Sequence, residues 1–407
     1  MLDEIAKSYT YLGLGFGKID PDYVDAYHGP ADLRTKAEAS SLTLKQIIAQ
    51  ADELLDKITA IDNLSNDMDI ARQKYLAKQL LALKTRAELL NGRELSFDDE
   101  TQLIYDVTVP QYNFDKVTEI SREFDIMFPD NEGDLQGKID QFRSQFIIPS
   151  GKIEAVFERA INEARERTNK RIELPSNENF VVSYVRDKPW SGYNWYQGDA
   201  NSLIEINIDL PIYIDRVIDL ASHEGYPGHH TYHSLTEKHL YKGRGWIEWS
   251  INPLFGPTGL IGEGSANFGI DVAFPGSERI KFEKEVLMPL AGLPSDDLDD
   301  YYKLNHLRQE IKYFTLQLGR MRINNEISDE EYIQKYQEVA FASEKFATQS
   351  LRFLTKYRSY IINYVIGLDL VTDYINKMGG TDDNPDKRWE LYIEMLSKPT
   401  LPSDLIL

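Results

Sequence analysis

Residues 222–233 read S-H-E-G-Y-P-G-H-H-T-Y-H, and four of the seven histidines of a 407-residue chain fall inside this stretch. Its reading decides whether one helix runs through the middle of the chain or two helices meet there. The preceding segment, Ile212 to Glu224, follows Pro211 and repeats Val217, Leu220 and Ala221 with helical period. On an unbroken helix His229, six residues after His223, would point to the opposite side. His230 would return to the right face but lie ~10.5 Å further along the axis. Pro227 opposes continuity, because it lacks an amide donor and clashes with the carbonyl four residues back, that of His223. Gly228 then lets the chain turn in extra residues before helix resumes. A later histidine can swing back toward His223; His229 needs the smaller insertion and is preferred, with His230 as the alternative.

Outward from this stretch the pattern is mostly helical. Leu42 to about Asn91 carries Ile47, Ile48, Leu54, Leu55, Ile58, Ile61, Leu80, Leu81 and Leu83 at helical spacing around a polar Asn63–Asp67 turn, which predicts a helical hairpin. Further helices are expected over Ile153 to about Arg171, Leu298–Ile323, Asp329–Ala340 and Glu344–Met378. Between them Phe180–Val185 is rich in β-branched and aromatic residues, and Leu203–Leu210 alternates Ile204, Ile206, Ile208 and Leu210 with polar residues. The expected fold is therefore mainly α with a small antiparallel β-sheet. It forms a single unit over 1–407 with soft lobes at 1–175 (helical), 176–275 (sheet and metal-site helices) and 276–407 (helical).

Composition narrows the partners. Sixty-six acidic against forty-five basic residues give a formal charge of −21, which repels phosphate backbones and anionic lipid and argues against nucleic-acid or membrane binding. The chain has no cysteine, so a metal site must use His, Asp or Glu. No segment approaches the ~18 apolar residues of a membrane span, and the N-terminus lacks a signal-like apolar run, so the expected location is cytoplasmic.

His223-Glu224 begins as the zinc-binding helix motif H-E-x-x-H does, but Pro227 stands at its fifth position. A catalytic zinc usually takes three protein ligands and leaves one position for water. After a Pro- and Gly-rich loop, Glu263 opens a segment able to form a helix and is the candidate third ligand beside His223 and His229, with Asn267 and Asp271 one and two turns on as supporting groups. The string H-E-G-Y-P-G-H-H at 223–230 resembles the H-E-x-x-P-G-H-H signature of the bacterial family called domain of unknown function 885, grouped with zincin-type metallopeptidases. E-G-S-A at 263–266 is similar to that family's E-G-W-A, with Ser265 in place of tryptophan. Asp25-Ala26-Tyr27-His28-Gly29-Pro30 and Tyr364-x-x-Gly367 match further family strings.

The resemblance implies a zincin-like architecture and a zinc-dependent peptidase acting on peptide substrates. Glu224 would serve as general base, and His230 or Tyr364 is the candidate to steady the oxyanion. The competing expectation is a non-catalytic metal- or peptide-binding helical protein on a degenerate frame. The strand 203–210 is expected to offer its edge to an extended peptide. His233 and His239 read as structural histidines. Gly13-Leu14-Gly15-Phe16-Gly17 lacks the G-x-G-x-x-G spacing and reads as a turn after the first helix. The acidic run 296–300 reads as a helix start, and Trp190–Tyr196 as aromatic packing beside the sheet.

Overall fold

The structure, a computed structural model, describes residues 1–129, 135–188 and 190–407. Its first part is helical: α1 (Leu2–Phe16), a short strand β1 (Val24–Tyr27), then α2 (Ala31–Ala39), α3 (Leu44–Thr59), α4 (Asp67–Leu90), α5 (Phe97–Tyr105), α6 (Asp115–Met127), α7 (Leu135–Ser144) and α8 (Ile153–Asn169). The expected hairpin is α3 and α4. Thr43 starts α3 by accepting the Gln46 amide while Gln46 reaches back to the Thr43 backbone, and Asn66 caps α4. Gly13 and Gly15 lie inside α1 and not in a turn after it, which ends only at Gly17.

Three strands follow, β2 (Asn179–Val185), β3 (Gly192–Gly198) and β4 (Asn201–Asn207), hydrogen-bonded in the order β2-β4-β3. The sheet is mixed and not antiparallel as expected: β2 and β4 run parallel, and β3 runs against β4. The cause is a tight hairpin after β3, where Asp199 and Ala200 both take positive φ, sending β4 back between the other two strands. Glu237 fixes that hairpin by accepting the amides of Asp199 (3.0 Å) and Ala200 (3.1 Å). β4 is thus central and has no free edge, which corrects the expectation that residues 203–210 pair with a peptide. The strand with an unladdered edge next to the site is β3.

The chain continues through α9 (Ile214–Leu220), α10 (His229–Thr236), β5 (Ile251–Pro253), which pairs with β1, and α11 (Pro257–Ala273). It closes with α12 (Ser277–Phe282), α13 (Met288–Ala291), α14 (Leu298–Ile323), α15 (Asp329–Ala340), α16 (Glu344–Tyr357), α17 (Ile366–Lys377) and α18 (Pro385–Leu396). α14 and α15 have the bounds that periodicity predicts. The expected helix 344–378 is broken between α16 and α17, because the buried Glu100 carboxylate captures Arg358 Nε (2.7 Å), the Ser359 amide (3.2 Å) and the Ser359 hydroxyl (2.6 Å) and draws the chain into a 3₁₀ turn over Arg358–Tyr364.

Three apolar cores hold these layers. One joins both ends of the chain around α11, with Tyr9, Leu83, Leu260, Ile366 and Tyr392. The second lies under the three-stranded sheet and includes Phe157, Ile204, Ile206, Val217 and Phe274. The third packs α6, α7 and α14–α16 around Phe124, Leu307 and Phe314. No helix among the described residues is long and apolar enough to cross a membrane.

Candidate metal centre

The stretch 222–233 does break the helix. After α9 the backbone widens into a π-turn over Ala221–Gly225, the Tyr226–Pro227 peptide is cis, and α10 restarts at His229. The widening is visible in the hydrogen bonds: the Tyr226 amide reaches the Ala221 carbonyl five residues back (3.1 Å), and the Gly228 amide reaches the Ser222 carbonyl six back (2.9 Å). Two residues are thereby added to the four-residue spacing that one helix face requires, and His229 returns to the side of His223. Their rings lie 4.6 Å apart and nearly perpendicular. Gly228 is required here, since a Cβ at this position would sit 2.0 Å from the His223 carbonyl oxygen and 2.4 Å from that of Ser222.

Glu263, in α11, completes the group. Its Oε2 lies 3.3 Å from His223 Nε2 and 3.8 Å from His229 Nε2. Donors about 2.05 Å from a tetrahedral ion are about 3.3 Å from each other; the His223–Glu263 separation equals that edge and the His229–Glu263 separation, 3.8 Å, is longer. His223, Glu224 and His229 also offer donor atoms within 4.8 Å of one another. Glu263 Oε2 is buried without a hydrogen bond of good geometry, while Oε1 accepts the Tyr360 hydroxyl (3.3 Å). A buried carboxylate oxygen left open toward two imidazoles is what a cation would satisfy.

The electrostatics agree with that reading. Burial pushes His229 down to about 4, with repulsion from His223 adding to it, so its ring is neutral and able to ligate. Burial also lifts Glu224 to about 7, against the pull of His223 and with the help of Glu263. Burial alone would raise Glu263, but the nearness of the His223 and His229 imidazoles outweighs it and leaves it lowered.

His230 does not join them. It is fully buried, with Nδ1 bonded to the Ser202 hydroxyl (2.9 Å) and Nε2 to Glu178 Oε2 (3.2 Å). Glu178 also accepts the Tyr226 hydroxyl (2.6 Å) and Arg165 Nε (3.1 Å). This network ties the start of α10 to the sheet and α8, so His230 holds the kink in place instead of facing a substrate, which corrects its expected place beside the oxyanion. Tyr364 does face the site. Its ring packs on Tyr360, and burial together with the charges of Glu263, Glu224 and Asp25 raises its phenol, so the hydroxyl keeps its proton. Asn267 bonds the Glu263 backbone carbonyl and not its carboxylate, and Asp271 sits in the field of Arg279 and Arg388. His233 stacks between Tyr196 and His229.

Several neighbours of the site were missed by sequence reasoning. Asp25 of β1 accepts the Tyr193 hydroxyl and Asn252 Nδ2 (3.1 Å), and burial lifts it to about 7, opposed by the Asn252 bond and aided by Glu263 and Glu224. Asn194 Nδ2 donates to the Glu224 backbone carbonyl (2.6 Å), joining β3 to the turn that carries Glu224. Tyr193 and Trp195 lie together on the outer face of β3, with Trp195 40% exposed. Ser265 is buried, bonds the Gly262 carbonyl (3.1 Å) and has its own carbonyl bound by Tyr392 (3.0 Å), which also binds the Pro227 carbonyl (3.0 Å).

Two short strings explain each other. A Cβ on Gly264 would meet the Gly367 carbonyl oxygen at 2.3 Å, so Glu-Gly of α11 and Tyr-x-x-Gly, which runs from the 3₁₀ turn into α17, place two backbones in direct contact, with Glu263 and Tyr364 at the edge of that contact.

No sequence profile of a known family matches the chain, and no curated protein does. Among solved structures, a protein from Colwellia psychrerythraea provisionally described as a lipoprotein aligns with a TM-score of 0.54 at 15% identity, covering 89% of this chain and 68% of that one. A protein of unknown function from Shewanella oneidensis, also provisionally described as a lipoprotein, gives 0.49 at 16% identity over 92% and 78%. The first likeness shows a shared fold and nothing about chemistry.

Proposed function

We propose that this chain is a zinc-dependent peptidase in which His223, His229 and Glu263 hold the ion and Glu224 is the general base. The observation that carries the reading is the approach of one Glu263 carboxylate oxygen to both imidazoles, at 3.3 and 3.8 Å, with that oxygen free of other partners. When bound, a zinc ion supplies Lewis acidity and a water of pKa near 7. The protein's own groups do the rest. Glu224, lifted by burial, accepts a proton from the attacking water and returns it to the leaving amine. Tyr364, held protonated, donates to the oxygen on which charge develops. Tyr360 fixes the Glu263 carboxylate so that it presents Oε2 to the histidines. An extended substrate lies along the open edge of β3, which is joined to Glu224 through Asn194.

The resemblance to the domain of unknown function 885 family supports the same zincin-like reading, and Ser265, where that family has tryptophan, is buried and bonded to the Gly262 carbonyl. The test is metal content beside hydrolysis. The purified protein should carry about one zinc per chain and cleave unblocked peptides, and Glu224→Gln should keep the zinc and lose turnover by at least ~100-fold. Peptide cleavage that survives Glu224→Gln, or zinc that survives His223→Ala with Glu263→Ala, would remove the proposal. We place the reaction in the cytoplasm; the likeness to a protein described as a lipoprotein supplies the cell envelope as a second location, and fractionation of cells expressing the tagged chain distinguishes them.

A further inference from the structure

We propose that the cleft beside Glu224 takes the free carboxyl terminus of a short peptide on Arg216, Arg308 and Lys312, making the protein a carboxyl-end trimming enzyme. The inference rests on the peptidase reading and adds the substrate end that it recognises.

The chain carries 66 acidic residues against 45 basic ones, so a cation can readily find a carboxylate. Arg308 and Lys312, one turn apart on α14 and exposed, nonetheless form no ion pair among the described residues. The protein around them is dense enough to affect both. Burial lowers Lys312 to about 8, with repulsion from Arg216 and Arg308 only partly offset by Asp219, and burial followed by repulsion from Arg143 lowers Arg308. The geometry places them beside Arg216: Tyr301 and Asn305 of α14 both bond Asp215, which ties this helix to α9 next to Arg216.

The nearby carboxylates are already engaged. Asp219 pairs with Arg216 (2.9 Å) and Arg279 (2.8 Å), Asp215 accepts Tyr301 (2.7 Å) and Asn305 (3.1 Å), and Glu283 accepts Tyr302 (2.6 Å). Five cations, Arg143, Arg216, Arg279, Arg308 and Lys312, thus share a region with four acids, Asp215, Asp219, Asp271 and Glu283, of which Arg279 takes Asp219 and Glu283, while Arg308 and Lys312 take none. An incoming carboxylate satisfies the surplus.

Position relative to the base gives the direction. Arg216 stands seven residues before His223, and its Nη2 lies 3.4 Å from the Ser191 hydroxyl at the start of β3. The next residue, Gly192, lies against Glu224: a Cβ there would be 3.3 Å from Glu224 Oε1. A peptide laid antiparallel on the open edge of β3 runs its carboxyl end toward Gly192 and Ser191, into the cationic wall.

Three N-acetylated peptides of one sequence test this: a free acid, its C-terminal amide, and an amide ending in glutamate. With the zinc-loaded protein the free acid should have a kcat/KM at least tenfold above the plain amide, and mass spectrometry should show fragments lost from the carboxyl end. Arg308→Gln with Lys312→Met should reduce that ratio to near one, through KM. Equal cleavage of acid and amide overturns the inference and leaves the peptidase reading standing. A glutamyl amide that matches the free acid overturns the terminal assignment, because an acidic side chain is then what the wall recognises. Calorimetry of the same peptides on Glu224→Gln reads the preference without turnover: a tenfold preference there with no hydrolysis by the wild type sustains the carboxylate site and overturns the peptidase reading, and no preference in either assay overturns the site.

Discussion

Replacing Gly228 by alanine tests how the kink creates the centre. The added Cβ would lie 2.0 Å from the His223 carbonyl oxygen, where ordinary contact begins near 3.4 Å, so backbone atoms must part by about 1.4 Å. Neither partner is a side chain that can rotate away. Metal-ligand distances tolerate roughly 0.2 Å, so a displacement several times larger should detach His229 from the position it shares with His223 and Glu263. Loss of a supporting hydrogen bond alone weakens metal sites about 10–100-fold, and loss of a ligand should weaken zinc binding by at least ~100-fold. Overpacking usually costs about 1–3 kcal/mol, and the upper end is expected where only backbone can give. Competition of zinc against a chelator measures the first effect and urea unfolding the second. Gly151→Ala, whose Cβ meets nothing within 4 Å, is the control and should change neither. A Gly228→Ala protein that folds and binds zinc as tightly as the wild type would refute the claim that this turn sets the ligand geometry.

Three more outcomes follow from the surroundings of the site. Burial works against ionisation of Glu178, yet the bonds from His230, Tyr226 and Arg165 hold it down to about 2, so its contribution is present above an unfolded value of 4.5 and is lost as pH falls from there toward 2. That contribution is at most about 3 kcal/mol, and urea midpoints measured across that pH range should fall less steeply for Glu178→Gln than for the wild type. Tyr392→Phe removes the hydroxyl shared by the Pro227 and Ser265 carbonyls and should cost about 1–2 kcal/mol in chemical denaturation. Glu100→Ala releases Arg358 and Ser359; kcat should fall at least tenfold while zinc content stays near that of the wild type, because Tyr364 loses its turn and the ligands do not. Unchanged kcat in that variant would separate Tyr364 from the reaction.

Much of the fold could be read locally, and the rest could not for physical reasons. The bounds of α14 and α15 followed from periodicity because amphipathic helices with Ser or Asp starts carry their own instructions. The kink was legible because Pro227 and Gly228 act on the next few residues. The order of the sheet was not, since parallel pairing of β2 with β4 depends on where a hairpin inserts. The break after Tyr357 was hidden for a similar reason: a glutamate 258 residues earlier causes it. Tyr360 therefore gave no signal of its own, although it lies four residues before Tyr364. Asp25 did stand in a string resembling a family motif, but its nearness to Glu224 depends on β1 reaching β3 through Tyr193.

The contact of Gly264 with Gly367 leaves no slack between α11 and α17, so Glu263 and Tyr364, next to that contact, belong to a single jaw. Any opening that admits a peptide must leave this contact intact, so its hinge lies elsewhere. A larger side chain at either glycine would therefore wedge apart the two halves of the chemistry without touching a reacting group.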